Sequence, residues 1–290
     1  MLVNLKEIMK LAEEHSYAVG SFNTPNFESL EAVIGAAEEL GLPVIIQFAQ
    51  CHEHITPLSV IGPIMVAAAE AAAIPVCVHL DHGESLEYLQ KALDLGFTSI
   101  MYDGSVLPYE ENLQNTKKAA AMAAKTGAGV EAELGSMGRR ESGQSGAEPI
   151  SDDTKIYTDP MQAGRFVEDS GIDALACSFG TTHGIYLSEP KLDFEVVRQV
   201  REATGGIPVV MHGGSGVTEE DFHRAIEKGV RKVNYFTYMD KAGGAAAAQC
   251  LADAQEKEKP FFFTDAAMAA RKAMKENVKE AMKMFADGRE

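Results

Sequence analysis

Val78-His79-Leu80-Asp81-His82-Gly83 follows directly on the apolar run at residues 74–78, and two related arrangements recur downstream. Met211-His212-Gly213-Gly214-Ser215-Gly216 follows residues 207–211, and Thr181-Thr182-His183-Gly184-Ile185-Tyr186 lies a few residues past the short apolar run at 174–177. Short apolar runs bounded by glycine read as buried strands ending in turns. Histidine just past three such strands predicts that His82, His183 and His212 gather at one end of a sheet.

Outward from these runs, apolar stretches alternate with amphipathic ones along the whole chain. The strand-like runs are residues 18–22, 44–48, 74–80, 99–102, 129–133, 174–177, 209–211 and 231–235. Helix-like segments lie between them, at residues 27–40, 57–73, 85–95, 110–126, 160–170, 194–203 and 219–228. Leu40-Gly41 and Leu95-Gly96 each end a helix with glycine just before the next strand. Eight strands in βα alternation predict an α/β fold, a (β/α)8 TIM barrel. A helix at residues 6–14 would precede the barrel, and extra C-terminal helices at 240–257 and 265–285 would follow it. Single barrels of about 250 residues are common. No Pro/Ser-rich connector or low-complexity tract interrupts the sequence, so residues 1–290 are expected to form one domain.

The formal net charge of −17 disfavours nucleic acid or an anionic membrane as partner. An anionic substrate remains compatible, because a metal and oriented amides make a local positive site in an acidic protein. The N-terminus, Met1-Leu2-Val3-Asn4-Leu5-Lys6-Glu7, lacks the basic start and apolar core of a signal peptide. No apolar run approaches the ~20 residues of a membrane span. The expectation is a cytoplasmic protein with reduced thiols.

Active sites of such barrels lie at the C-terminal strand ends. Asn23, Gln47, Asp81, His82, Asp103, Glu133, His183, His212 and Asn234 all fall at or just beyond a strand end. Zinc accepts imidazole nitrogen readily, and three protein ligands leave a position open for substrate. Cys51, Cys77, Cys177 and Cys250 show no CxxC spacing, so a metal here is expected to be catalytic rather than structural.

With those residues in hand, the chain resembles the class II, metal-dependent ketose-bisphosphate aldolases, the family of fructose- and tagatose-bisphosphate aldolases. The likeness runs nearly end to end. It is carried by Gly20-Ser21-Phe22-Asn23, His79-Leu80-Asp81-His82-Gly83, Tyr102-Asp103-Gly104-Ser105, Val130-Glu131-Ala132-Glu133-Leu134-Gly135, Pro190-Lys191-Leu192-Asp193-Phe194 and His212-Gly213-Gly214-Ser215-Gly216.

The resemblance implies that His82, His183 and His212 bind one catalytic Zn2+ per subunit. It implies that Asp81 exchanges a proton with the aldehyde oxygen and that Glu141, on a mobile loop, moves the proton on the dihydroxyacetone phosphate carbon. Asp103 and Glu133 match acidic residues able to hold the metal in an alternative position or to hold a second ion, and a monovalent cation belongs to the same expectation. Asn23, Gly184, Gly213, Ser215, Asn234 and Thr237 match substrate-holding positions. Arg271 resembles an arginine that reaches a neighbouring subunit's distal phosphate, with a solvated helix residue as the alternative. A sugar phosphate substrate and a homodimer or homotetramer follow from the same likeness.

Two places depart from the family. Fructose-bisphosphate aldolases commonly carry an aspartate between the asparagine and threonine after strand eight, where this chain reads Asn234-Tyr235-Phe236-Thr237. A serine often follows strand two, where this chain has Gln47-Phe48-Ala49 and then Cys51-His52-Glu53-His54. His52 and His54 could bind a second metal with Glu53, read a substrate head group, or form a polar loop. The triose half of the site is intact and the aldehyde half rewritten, which points to a native substrate other than fructose 1,6-bisphosphate.

Aldol cleavage leaves a carbanion beside a carbonyl, and a Lewis-acid metal chelating the carbonyl and hydroxyl oxygens stabilises it. The other solution, a lysine Schiff base, needs a lysine inside the barrel. Only Lys232 lies on a strand, and it is expected to face outward, with Val233 on the other face. Competing readings are an aldolase for a different distal group, such as a deoxy-keto sugar acid phosphate, and a barrel metal hydrolase or epimerase using the same histidines.

Overall fold

A computed structural model describes residues 1–135, 139–140, 157–184 and 190–286, with 139–140 described in the backbone alone. Eight parallel strands carry the fold: β1 (Val19–Asn23), β2 (Val44–Ala49), β3 (Val76–Gly83), β4 (Ser99–Tyr102), β5 (Gly129–Leu134), β6 (Ala174–Cys177), β7 (Val209–Met211) and β8 (Val230–Tyr235). Each pairs with the next, and β8 pairs with β1 through Lys232–Val19 to Tyr235–Phe22, which closes the barrel. A short strand, Leu2–Val3, adds to β3 beside Val76 and Cys77. The expected (β/α)8 TIM barrel is the observed fold.

Helix α1 (Leu5–Glu14) precedes the barrel and is set by a capping box, in which Asn4 accepts from the Glu7 amide and Glu7 accepts from that of Asn4. Its buried residues, Leu5, Ile8, Met9 and Ala12, recur at helical spacing on one face. They pack with Val19, Ile45, Cys77, Met101, Ala176 and Val210 into a small apolar cluster at the N-terminal end of the barrel. The main core lies between the strands and the helices that return along the outside.

These helices are α2 (Phe27–Leu40), α3 (Leu58–Ala71), α4 (Leu86–Asp94), α5 (Tyr109–Ala123), α6 (Pro160–Ser170), α7 (Phe194–Ala203) and α8 (Glu219–Lys228). Gly41 ends α2 in the left-handed conformation (φ 64°), as its place in the sequence predicts. Two further helices, α9 (Thr237–Glu256) and α10 (Phe263–Phe285), pair with each other, and α10 also packs on α2. Phe285 is anchored against Phe222, with ring centroids 4.8 Å apart.

Along each strand alternate residues face the barrel interior. With α1 and its apolar cluster closing the N-terminal end, the interior above becomes polar. Ser21, Gln47, His79, Ser99, Glu131 and Lys232 are all fully buried there. The C-terminal mouth carries Asn23, Asp81, Glu133, His212 and Asn234. None of the described helices is long and apolar enough to cross a membrane.

Candidate active site

Asp81 and His82 are consecutive, so in a regular strand they would point to opposite faces. The register of β3 against β4 shifts between Leu80 and Gly83, and His82 takes a left-handed backbone, φ 47°. This irregularity re-aims the imidazole so that it shares the barrel mouth with Asp81, whose Oδ1 lies 3.9 Å from His82 Nε2. A side chain in that conformation costs about 1 kcal/mol, a strain typical of functional sites.

His82 Nε2 lies 3.1 Å from His183 Nε2 and 3.0 Å from His212 Nδ1, and the last two nitrogens are 3.3 Å apart. The remaining nitrogens of two rings are engaged elsewhere: His82 Nδ1 lies 2.8 Å from Asp103 Oδ2, and His212 Nε2 lies 2.8 Å from Glu131 Oε1. An ionised carboxylate only accepts, so these outer nitrogens donate, and in its neutral form each ring turns a lone pair toward the other two. Lone pairs facing one another at such distances repel unless a cation lies among them. Imidazole–zinc bonds of about 2.0–2.1 Å in a tetrahedron would space ligand nitrogens about 3.3 Å apart. The donor set and its spacing fit such an ion.

Burial by itself disfavours charge on His82, but Asp81, Asp103 and Glu133 outweigh it and push its pKa up to about 10. The surroundings therefore favour positive charge at this spot, whether proton or metal ion. His212 shifts downward, through burial and the neighbouring His82. Burial would raise the Asp81 carboxyl, but the charges of His82, His212 and Lys232 hold it well below the usual range. Asp81 also receives Asn23 Nδ2 at 3.3 Å, Gln47 Nε2 at 3.1 Å and Asn234 Nδ2 at 3.1 Å. It is an ionised carboxylate held by three amides. His82, Asp103 and Glu133 form a second grouping, with ligand atoms within 4.8 Å of one another.

Asn23, Gly184, Gly213, Ser215, Asn234 and Thr237 all line one pocket with Asp81, His183 and Phe236. Gly213 has φ 67°, and a Cβ there would sit 2.3 Å from the Thr182 carbonyl oxygen, so this turn admits glycine alone. Ser215 Oγ accepts from the Phe236 and Tyr238 amides at 3.3 and 3.4 Å, tying the glycine turn after β7 to the start of α9. Arg271 lies apart, on α10, with Nη1 3.9 Å from Glu31 on α2. Glu141 lies outside the described residues.

One expectation needs correction. Lys232 does not face outward: it is fully buried inside the barrel, with Nζ 2.8 Å from Glu131 Oε2 and 2.8 Å from Asn234 Oδ1. Strand parity demanded this, since Lys232 stands two residues before the inward Asn234, and the Glu131 charge offsets the cost of burying the ammonium. A lysine so paired is not a free amine nucleophile, and it does not line the pocket.

Of the readings open for His52 and His54, the polar loop is the one that fits, because the two histidines and Glu53 make separate contacts. They lie in a 3-10 turn (Gln50–His54), where His54 Nδ1 donates to the Cys51 carbonyl at 2.8 Å. His52 is buried behind Phe236, with ring centroids 4.9 Å apart. Glu53 accepts instead from the Leu58 amide and the Tyr88 hydroxyl.

Sequence reasoning overlooked the buried pair of Glu131 and Lys232. The signal was available, because Glu131 and Glu133, like Lys232 and Asn234, are two apart on one strand and share a face.

The chain matches the class II fructose-bisphosphate aldolase family over residues 3–289. A fructose-bisphosphate aldolase of Staphylococcus aureus is 37% identical over 287 residues, covering 98% of this chain and 97% of that protein. The Escherichia coli protein YdjI is 38% identical over 293 residues, covering 100% of this chain and 99% of its own. The crystal structure of the E. coli YdjI aldolase superposes with a TM-score of 0.83 at 37% identity, covering 98% of this chain and 97% of that one. With its barrel, its histidine triangle and these relatives, the chain belongs to the class II fructose-bisphosphate aldolase family and is a carbon–carbon lyase.

Proposed function

We propose that this protein is a zinc-dependent aldolase. It reversibly cleaves a ketose 1-phosphate or 1,6-bisphosphate, of the fructose or tagatose type, to dihydroxyacetone phosphate and an aldehyde. The reading is carried by one observation: three imidazole nitrogens lie 3.0–3.3 Å apart beside the ionised Asp81, and Asp81 and His183 line a pocket with the glycine turns.

His82, His183 and His212 would hold the ion, with Asp103 and Glu133 offering it an alternative position. A divalent ion there supplies Lewis acidity toward the carbonyl and hydroxyl oxygens of the ketose. Asp81 takes the proton of the hydroxyl that becomes the aldehyde as the carbon–carbon bond breaks, and returns it in condensation. Glu141, assigned from the family resemblance, delivers the proton to the carbon that received the bonding electrons. Asn23, Gly184, Gly213, Ser215, Asn234 and Thr237 hold the triose phosphate half, largely through backbone amides. A monovalent cation beside that phosphate, a homodimer or homotetramer in which Arg271 serves the neighbouring subunit, and a cytoplasmic location complete the reading.

The deciding experiment incubates zinc-loaded protein with dihydroxyacetone phosphate and a panel of aldehydes, and reads new ketose phosphate directly. Product that disappears together with bound zinc in His212→Ala supports the reading. No product with any aldehyde, or unchanged zinc in His212→Ala, sinks it.

A further inference from the structure

Lys232 stands at the meeting point of two hydrogen-bonded chains, one leading to His212 and the other to Asp81. Its ammonium has donors only: it donates to Asn234 Oδ1 at 2.8 Å and forms an ion pair with Glu131 Oε2, also at 2.8 Å. All three side chains are buried, so no solvent competes for these bonds.

The first chain runs through Glu131. Its carboxylate forms an ion pair with Lys232 through Oε2 and accepts from His212 Nε2, at 2.8 Å, on Oε1. His212 is thereby fixed with its proton on Nε2, and its Nδ1 lone pair faces His82 and His183.

The second chain runs through Asn234. An asparagine amide reads equally well in two orientations unless a neighbour distinguishes its oxygen from its nitrogen. Lys232 does so, because it can bond only to the oxygen. The amide nitrogen is left to donate to Asp81 Oδ1 at 3.1 Å.

We propose that Lys232 is a positioning residue that sets the hydrogen-bond polarity of both halves of the site: the ring tautomer of the metal ligand His212 through Glu131, and the amide orientation that serves Asp81 through Asn234. The inference rests on the reading of His212 as a metal ligand. Lys232 touches neither metal nor substrate. A buried ion pair kept only for stability is often replaceable by apolar side chains without loss, whereas a polarity-setting pair leaves a signature in the response to its amide variant.

Glu131→Gln supplies that signature. Lys232 will claim the new amide oxygen, turning the amide nitrogen toward His212 Nε2 and driving the ring proton to Nδ1. Zinc affinity, measured by chelator competition on the folded protein, should fall about 10–100-fold, the usual loss when a ligand's orienting partner is removed. Adding Lys232→Met frees the glutamine amide to turn its oxygen to His212, so the double variant should recover zinc affinity relative to Glu131→Gln alone. A merely structural pair would make the double variant no better. That result overturns the proposal, as does Glu131→Gln binding zinc within about twofold of wild type.

Should the variants fail to fold, 15N spectra of wild-type histidine decide the same point. His212 carrying its proton on Nε2 in the metal-free protein supports the proposal, and a proton on Nδ1 overturns it. Failure of the aldol reaction with every aldehyde would leave these readouts unchanged. A wild-type protein that binds no zinc would overturn the metal reading and this inference together.

Discussion

Asp103 Oδ2 holds His82 Nδ1 at 2.8 Å, so in the neutral ring the nitrogen that faces the other two histidines is the one left with a lone pair. Carboxylates behind metal-binding histidines orient the ring and raise its basicity. Asp103 also accepts from the Ser105 amide and hydroxyl, which fixes the carboxylate in turn. Asp103→Ala is therefore expected to weaken zinc binding about 10–100-fold while the barrel stays folded. Chelator competition with circular dichroism as the folding control checks this, and unchanged affinity would remove Asp103 from the metal's support.

Asp81 is held ionised by cations and by three amides, which suits the proton exchange proposed for it. Asp81→Ala should retain zinc at wild-type stoichiometry and lose about 10²–10⁴-fold in kcat. Glu141→Ala should give the complementary defect. Dihydroxyacetone phosphate would still bind, but exchange of its carbon-bound proton in deuterated buffer would slow. Wild-type exchange in Glu141→Ala would refute its assigned role.

The parts of this site legible in sequence are those that follow a strand end. Histidine next to glycine past three such ends, with Asp81 beside the first, marks the corner where the candidate ligands meet, because turns and the side chains beside them are both local features. Two things were not local. His82 reaches the same side as Asp81 only because a register shift puts it at φ 47°, which alternation alone would deny. Lys232 was assigned outward on hydrophobic habit, since a lysine is rarely buried unless paired. Its partner Glu131 is 101 residues away in sequence and adjacent only once the barrel closes.

Glu13, at the end of α1 beneath the barrel, accepts from Arg201 on α7 and from Arg231 Nε on β8 at 2.9 Å. Burial would raise its pKa, but the two guanidinium groups outweigh it and lower it. A carboxylate with a depressed folded pKa stabilises fully above its unfolded value and loses that contribution as pH falls through the folded value. Glu13→Gln should destabilise the protein by about 1–2 kcal/mol at pH 7, discounting for partial exposure. The urea midpoints should keep their gap down to about pH 4, near the unfolded carboxyl value, and converge as pH falls below it through the lower folded value. A gap that persists through that fall would show that packing, not charge, is responsible.

This chain parts from the fructose 1,6-bisphosphate pattern at Phe236 and Ala49, the positions that the family resemblance relates to the aldehyde end. Phe236 presents an apolar ring to the pocket, backed by the buried His52, and Ala49 stands fully buried beside Asp81 in the register of β2 and β3. His54 and Tyr238 do not line the pocket, so selection falls on Phe236. A buried wall without hydrogen-bond partners discriminates against a group that needs them, because the lost hydration is not replaced. The triose end keeps its glycine turns and Ser215. We therefore expect a ketose phosphate with a less polar or unphosphorylated distal end to be turned over at least about tenfold faster, in kcat/KM, than fructose 1,6-bisphosphate. Comparison across fructose, tagatose and distally modified ketose phosphates reads this directly. If fructose 1,6-bisphosphate is clearly the fastest, Phe236 and Ala49 do not set specificity.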